Sequence, residues 1–234
     1  MISPKMAKLI SYMPDSFVKY MSKAVLNHII KKYADINIYG GENLKSIKGP
    51  VIFICNHLSN SDALILNKVL EAQDVTFVAG VKLSENATTN LGINIIKTTP
   101  VRPNTADKEG IEKIIKIVKG GGNILLFPEG TRSRTGSMIQ AKKGILLIAK
   151  VTKVPIVPIG IWGTEKLLPI AKDGDMASEK FSYSKIGVSI GDAMEIPKRL
   201  QGEDKVQYET RALNTMMKEI AKLIPEEYKG EYKD

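Results

Sequence analysis

The sequence predicts an α/β fold: a largely parallel central sheet covered by helices, with an amphipathic two-helix element at the N-terminus. Two observations carry this. From residue 36 onward, short runs rich in Ile and Val alternate with stretches whose apolar residues recur at helical spacing. The runs themselves are continuously apolar, as expected of strands buried on both faces by crossover helices.

Taken in order, residues 5–13 and 16–33 read as two helices broken near Pro14. In the second, Phe17, Met21, Val25 and Ile29, joined by Val18, Leu26 and Ile30, make an apolar stripe with lysines mostly between. Strands are expected at 36–39, 50–55, 75–80, 93–98, 123–127, 156–161 and 185–190. Between them, a helix is expected at 63–70. Ile111, Ile114, Ile115 and Val118 mark another, stopped by Gly120, Gly121 and Gly122. Residues 142–152 read as a helix ended before Pro155. The last spans about 204–223, with Val206, Leu213, Met217, Ile220 and Leu223 inward. Two units are therefore expected: a helix pair at 1–35 and one α/β domain at 36–234.

The chain has 234 residues, 34 Lys and Arg against 25 Asp and Glu, and a formal charge of +9. Such an excess points to an anionic partner. Aromatics make up only 6% and are not interleaved with basic residues as in single-strand binders, which weighs against nucleic acid. Cys55 is the one cysteine, so no internal disulfide can form. No apolar run reaches 18 residues, so no membrane-spanning helix is expected. Two histidines and one cysteine offer no metal-ligand set of usual spacing, so neither a metal nor a cofactor is expected.

In parallel sheets ligands gather where strands end. The first such exit is Asn56-His57-Leu58-Ser59-Asn60-Ser61-Asp62. Fully extended, His57 and Asp62 would lie roughly 16 Å apart at about 3.3 Å per residue. If the chain turns and Asp62 opens a helix, the carboxylate can return to the imidazole, fix its tautomer and leave the other nitrogen as a base. The alternative is that Asp62 or Ser61 merely caps the helix and His57 is a turn residue. The second exit, Phe127-Pro128-Glu129-Gly130-Thr131-Arg132-Ser133-Arg134, combines guanidinium groups, hydroxyls and turn amides suited to phosphate, or else is a solvated basic turn. Lys142 and Lys143 follow it. Arg102 stands between prolines after the fourth expected strand.

In this order these pieces resemble the PlsC-like glycerolipid acyltransferase family, which includes 1-acylglycerol-3-phosphate and glycerol-3-phosphate acyltransferases. The family's His-x4-Asp motif matches His57 and Asp62. Its second motif resembles the stretch ending at Arg102, and its Phe-Pro-Glu-Gly-Thr-Arg-Ser motif is matched in full at 127–133. Its Lys-x-Gly element resembles Lys142 and Gly144, and its Val-Pro-rich strand resembles 154–163. Leu58, Asn60 and Ser61 depart from the family's frequent residues. The resemblance implies that His57 and Asp62 are catalytic and that Glu129, Gly130, Thr131, Arg132, Arg102 and Lys142 bind substrate. It implies acyl transfer from acyl-CoA or an acyl carrier protein thioester to lysophosphatidic acid, or alternatively to glycerol-3-phosphate or another lysophospholipid, at the cytoplasmic face of an anionic membrane.

Rival chemistries fare worse. Gly187-Val188-Ser189-Ile190-Gly191 matches the nucleophile-elbow pattern, but Ser189 sits mid-strand, no helix pattern follows, and both histidines precede it. Cys55 reads as a small buried residue ending a strand. A basic membrane or nucleic-acid binder would explain the charge and not the ordered motifs. Residues 1–40 hold six lysines against two aspartates. Their stripe suits a helix lying in a membrane interface, or one packed on the domain core.

Overall fold

The computed structural model of the chain describes residues 14–81, 96–102, 105, 107–171 and 178–233. The expected helix at 5–13 lies outside them. Helix α1 (Asp15–Tyr33) runs without a linker into β1 (Ala34–Tyr39). Then come β2 (Ile52–Cys55), α2 (Ser61–Val69), β3 (Val75–Gly80), β4 (Thr98–Val101), α3 (Lys108–Lys119) and β5 (Asn123–Leu126). The chain continues through α4 (Gly144–Thr152), β6 (Ile156–Trp162), the single turn α5 (Thr164–Leu167), β7 (Ser184–Ile190) and α6 (Lys205–Ala221).

The strands form one seven-stranded sheet in the order β1-β7-β6-β2-β5-β3-β4. All pairings are parallel except β6 with β7, so β7 and β1 run against the other strands. The largely parallel sheet expected from the apolar runs is present. Successive residues on β2 serve opposite faces. Ile52 and Ile54 join Ile114, Val118, Met216 and Ile220 from α3 and α6. Phe53 and Cys55 join Leu26, Ile30, Ile65 and Leu66 from α1 and α2. All four β2 residues are fully buried, which is why the strand reads as unbroken apolar sequence.

Helix ends follow the local sequence. Asp107 accepts from the Gly110 N–H at the start of α3, and Gly121 takes φ of 90° just past its end. Asp204 and Gln207 form a capping box on α6. Two expectations shift. Val206 faces solvent at 63% exposure, and Tyr208, Ala212, Leu213, Met216, Met217 and Ile220 form the inward face of α6. The fourth strand lies at Thr98–Val101, later than the expected 93–98, of which 93–95 fall outside the described residues. It includes Pro100, tolerated because β4 is the sheet edge, where a missing N–H breaks no ladder on the open side.

Helix α1 has two apolar sides. Leu26 and Ile30 are buried in the core, while Phe17, Tyr20, Met21 and Val25 are exposed. The chain after α6 braces the loop that follows β5. Met138 N–H donates to the Tyr228 carbonyl at 2.8 Å, and Ala141 N–H to the Tyr232 hydroxyl at 3.1 Å.

Candidate active site

β2 and β5 are parallel neighbours, with Ile54 opposite Leu126. Their C-terminal ends therefore open on the same side, and the loops that leave them lie together. A backbone bond joins the pair, from Ser133 N–H to the His57 carbonyl at 2.8 Å, and Lys142 N–H donates to the Pro128 carbonyl at 2.7 Å within the β5 loop. On the other flank, the Asn56 side chain is bonded in both directions to Ile161 of β6, donating to its carbonyl and accepting from its N–H, each at 2.8 Å.

Directly after β2 the chain turns, and Ser59 accepts from the Asp62 N–H at 3.1 Å. The turn brings Asp62 back on His57, with Oδ2 2.7 Å from Nδ1. The same oxygen accepts from the N–H groups of Leu58 at 2.7 Å and Ser59 at 2.9 Å. A carboxylate so placed makes Nδ1 the protonated nitrogen and leaves Nε2 with its lone pair free. Asp62 is fully buried, and its Oδ1 has no hydrogen-bond partner among the described residues. The aspartate does not cap α2: Asn60 holds the N-cap position, without a side-chain cap bond. The alternative in which His57 and Asp62 are merely a capped turn is thus not what forms. The imidazole also stacks on Phe127, ring centroids 4.0 Å apart and planes 13° off parallel. That ring and the carboxylate fix the imidazole in orientation while 18% of its side chain stays exposed.

Glu129 sits behind this dyad rather than in the opening. It is fully buried, and its two oxygens accept from the His57 N–H at 2.9 Å and the Ile139 N–H at 3.0 Å. Burial pushes its carboxyl up to about 8, outweighing the two amide bonds that favour the charged form. The expected contact between Glu129 and substrate is therefore replaced by a tie between the two loops. The same burial pushes the Cys55 thiol well up, so it is no nucleophile here.

Arg132 projects from the β5 loop, and its Nη1 donates to Glu179 Oε1 at 2.7 Å. Gly130 adopts φ of 70°, and a Cβ there would stand 3.2 Å from Cγ of Lys142, whose stem lies across the turn. Thr131 and Lys142 are exposed beside it. Ser133 is buried and bonded to Thr135 at 3.0 Å, so its hydroxyl is not offered to a ligand as the sequence suggested. Arg102 leaves β4 at the sheet edge, three strands and roughly 14 Å of sheet from β2. Its N–H donates to Asp107 at 2.7 Å. The turn that carries Thr131 and Arg132 is bonded to residue 57 through Ser133, whereas Arg102 leaves a strand three places away in the sheet. Among the described residues no group of three His, Cys, Asp or Glu could hold a metal ion. The partners that sequence reading missed are Phe127 and Glu179. Phe127 was marked only by its place in the motif, and Glu179, 47 residues beyond Arg132, carried no signal.

A buried carboxylate thus holds a partly exposed imidazole beside a basic turn, at the exits of two parallel strands. Residues 35–162 match the acyltransferase family, and the chain belongs to it. It is 30% identical over 169 residues to the chloroplastic 1-acyl-sn-glycerol-3-phosphate acyltransferase BAT2 of Brassica napus, covering 68% of this chain and 48% of that protein. It is 26% identical over 197 residues to the 1-acyl-sn-glycerol-3-phosphate acyltransferase of Bacillus subtilis, covering 83% and 92%. The chain thus spans about half the length of the plant relative and most of the bacterial one. Its fold is that of the 1-acyl-sn-glycerophosphate acyltransferase PlsC from Thermotoga maritima, with a TM-score of 0.61 and 22% identity over 95% of this chain and 84% of that one.

Proposed function

We propose that this chain transfers a fatty acyl group from an acyl thioester, of CoA or of acyl carrier protein, to the sn-2 hydroxyl of 1-acylglycerol-3-phosphate, giving phosphatidic acid. The observation that carries the reading is the 2.7 Å contact between Asp62 and His57 Nδ1, which leaves Nε2 as a base at the mouth of the site. An alcohol is a weak nucleophile near neutral pH and needs such a base within hydrogen-bond reach. As the acceptor oxygen bonds to the thioester carbonyl carbon, its proton passes to Nε2, and Asp62 stabilises the imidazolium. The C–S bond then breaks, and the departing thiolate takes that proton. Attack is direct, so no acyl-enzyme forms. Arg132, Thr131 and Lys142 hold the acceptor phosphate and so place its hydroxyl by the base.

Purified protein supplied with labelled acyl thioester should transfer label to 1-acylglycerol-3-phosphate in preference to glycerol-3-phosphate. Transfer to glycerol-3-phosphate alone would reassign the acceptor, and transfer to neither would defeat the reading. Arg132→Ala is expected to raise the acceptor KM about ten- to a hundred-fold, the worth of roughly 1.5–3 kcal/mol for a charge-assisted contact. Steady-state kinetics varying each substrate in turn checks this, with the donor KM moving little.

The substrate and product carry acyl chains, so the site has to meet a bilayer, and no helix among the described residues is long and apolar enough to cross one. We assign that contact to the exposed side of α1, with the protein peripheral at the cytoplasmic face. Phe17, Met21 and Val25 are 47%, 46% and 54% exposed on one helix side, with lysines around them. Because Leu26 and Ile30 belong to the core, deleting the helix would open the domain, and substitution is the cleaner test. Phe17, Met21 and Val25 replaced together by glutamate should cut binding to anionic vesicles more than about a hundred-fold, since each buried apolar side chain is worth roughly 1.5–3 kcal/mol. Vesicle sedimentation of the full chain reads this directly. Unchanged binding would move the contact elsewhere.

A further inference from the structure

Glu179 joins two active-site loops that are far apart in sequence. Its Oε1 accepts from Arg132 Nη1 at 2.7 Å, and its Oε2 accepts from Asn60 Nδ2 at 2.8 Å. Asn60 lies three residues from His57 and is the N-cap residue of α2, where the helix end favours negative charge. The Glu179 side chain is only 2% exposed, so its carboxylate fills this cradle of donors. The chain beyond it is pinned: Phe181 stacks against Tyr33 at 6.3 Å, and Ser182 N–H donates to the Leu167 carbonyl at 2.9 Å. A guanidinium takes carboxylate and phosphate oxygens in the same way, and the two anions repel each other at contact distance.

We propose that the Glu179 carboxylate occupies the place of the acceptor's phosphate in the free protein and is displaced when the acceptor binds, so that Glu179 sets acceptor affinity. The inference rests on Arg132 being the phosphate site. A ligand that binds only after Glu179 withdraws sees its affinity reduced by the fraction of molecules in which the cradle is open. Glutamine has one acceptor oxygen where Glu179 meets two donors, so Glu179→Gln releases the cradle with little change in volume. A head group without an anion would not displace Glu179, which makes the contact a filter for phosphorylated acceptors.

The test is calorimetric binding of sn-glycerol-3-phosphate, the polar head of the proposed acceptor, to the full chain and to Glu179→Gln, Glu179→Ala and Arg132→Ala. Both Glu179 variants are expected to bind at least about five-fold more tightly, and Arg132→Ala at least about ten-fold more weakly. A gain in affinity cannot come from misfolding. In turnover, the acceptor KM should fall in the Glu179 variants while the donor KM stays within about two-fold, a split that a merely structural residue would not give. Unchanged or weaker binding by the Glu179 variants, with Arg132→Ala still weakened, overturns the displacement and leaves the Arg132 assignment standing. Wild-type binding by Arg132→Ala removes the phosphate site itself and the proposal with it.

Discussion

His57→Ala is expected to lower kcat by about 10²–10⁴ while the protein remains folded, the range for removal of a general base. The main-chain bonds at residue 57, from its N–H to Glu129 and from Ser133 to its carbonyl, do not involve the ring and survive the change. Asp62 keeps two amide donors on Oδ2, so it is not stranded as a bare buried charge. What is lost is the base and its stack on Phe127. The acceptor KM should change little, because the groups assigned to the phosphate stand on the other loop. Circular dichroism and acceptor kinetics on the same preparation separate lost chemistry from lost fold.

Asp62→Asn is expected to cost a similar factor in rate and to cost more stability than the histidine change. One oxygen of Asp62 accepts three donors while the other is buried without a partner. If the asparagine oxygen keeps the three bonds, its NH2 is placed where Oδ1 now stands, a buried position without a hydrogen-bond partner among the described residues. If it turns over, the NH2 confronts three donors. Either way a buried donor goes unpaired, worth roughly 1–3 kcal/mol. The neutral amide also cannot stabilise the imidazolium that forms during attack. Denaturant unfolding beside turnover should therefore show both losses in Asp62→Asn, with a larger stability loss than in His57→Ala, which forfeits the Phe127 stack and one of the three bonds to Oδ2 but leaves no donor unpaired. Equal stability of the two variants would mean that the buried pocket relaxes around the amide.

The parts of this picture that were legible in sequence are those written in local pattern. Runs such as 51–55 announce strands buried on both faces, and the turn chemistry of Pro128 and Gly130 announces a strand exit. Helix α3 is delimited by its apolar spacing and its glycines. Strand direction has no such signature: nothing in 184–190 says that β7 runs against β6, because an apolar run reads the same either way. Val206 was placed inward because it fits helical spacing, but it lies in the first turn of α6, before the inward face begins at Tyr208. At the site, the spacing of His57 and Asp62 allowed a dyad or a cap, and the choice depended on a turn held by Asp62's own bonds to residues 58 and 59. Glu129 was visible as a residue and misplaced in role, since its burial comes from loops brought together only by the pairing of β2 with β5. Glu179 was invisible because its partners are 47 and 119 residues away.

The most direct test of His57 as the base for direct attack is thiol release from an acyl thioester, followed with and without 1-acylglycerol-3-phosphate, for the wild-type protein and His57→Ala. The expected result is release that depends on acceptor, matches the phosphatidic acid formed mole for mole, shows no burst before acceptor is added, and falls about 10²–10⁴-fold in His57→Ala. A stoichiometric burst without acceptor would reveal an acyl-enzyme, and undiminished release by folded His57→Ala would place the base elsewhere. Either result would contradict the mechanism proposed here.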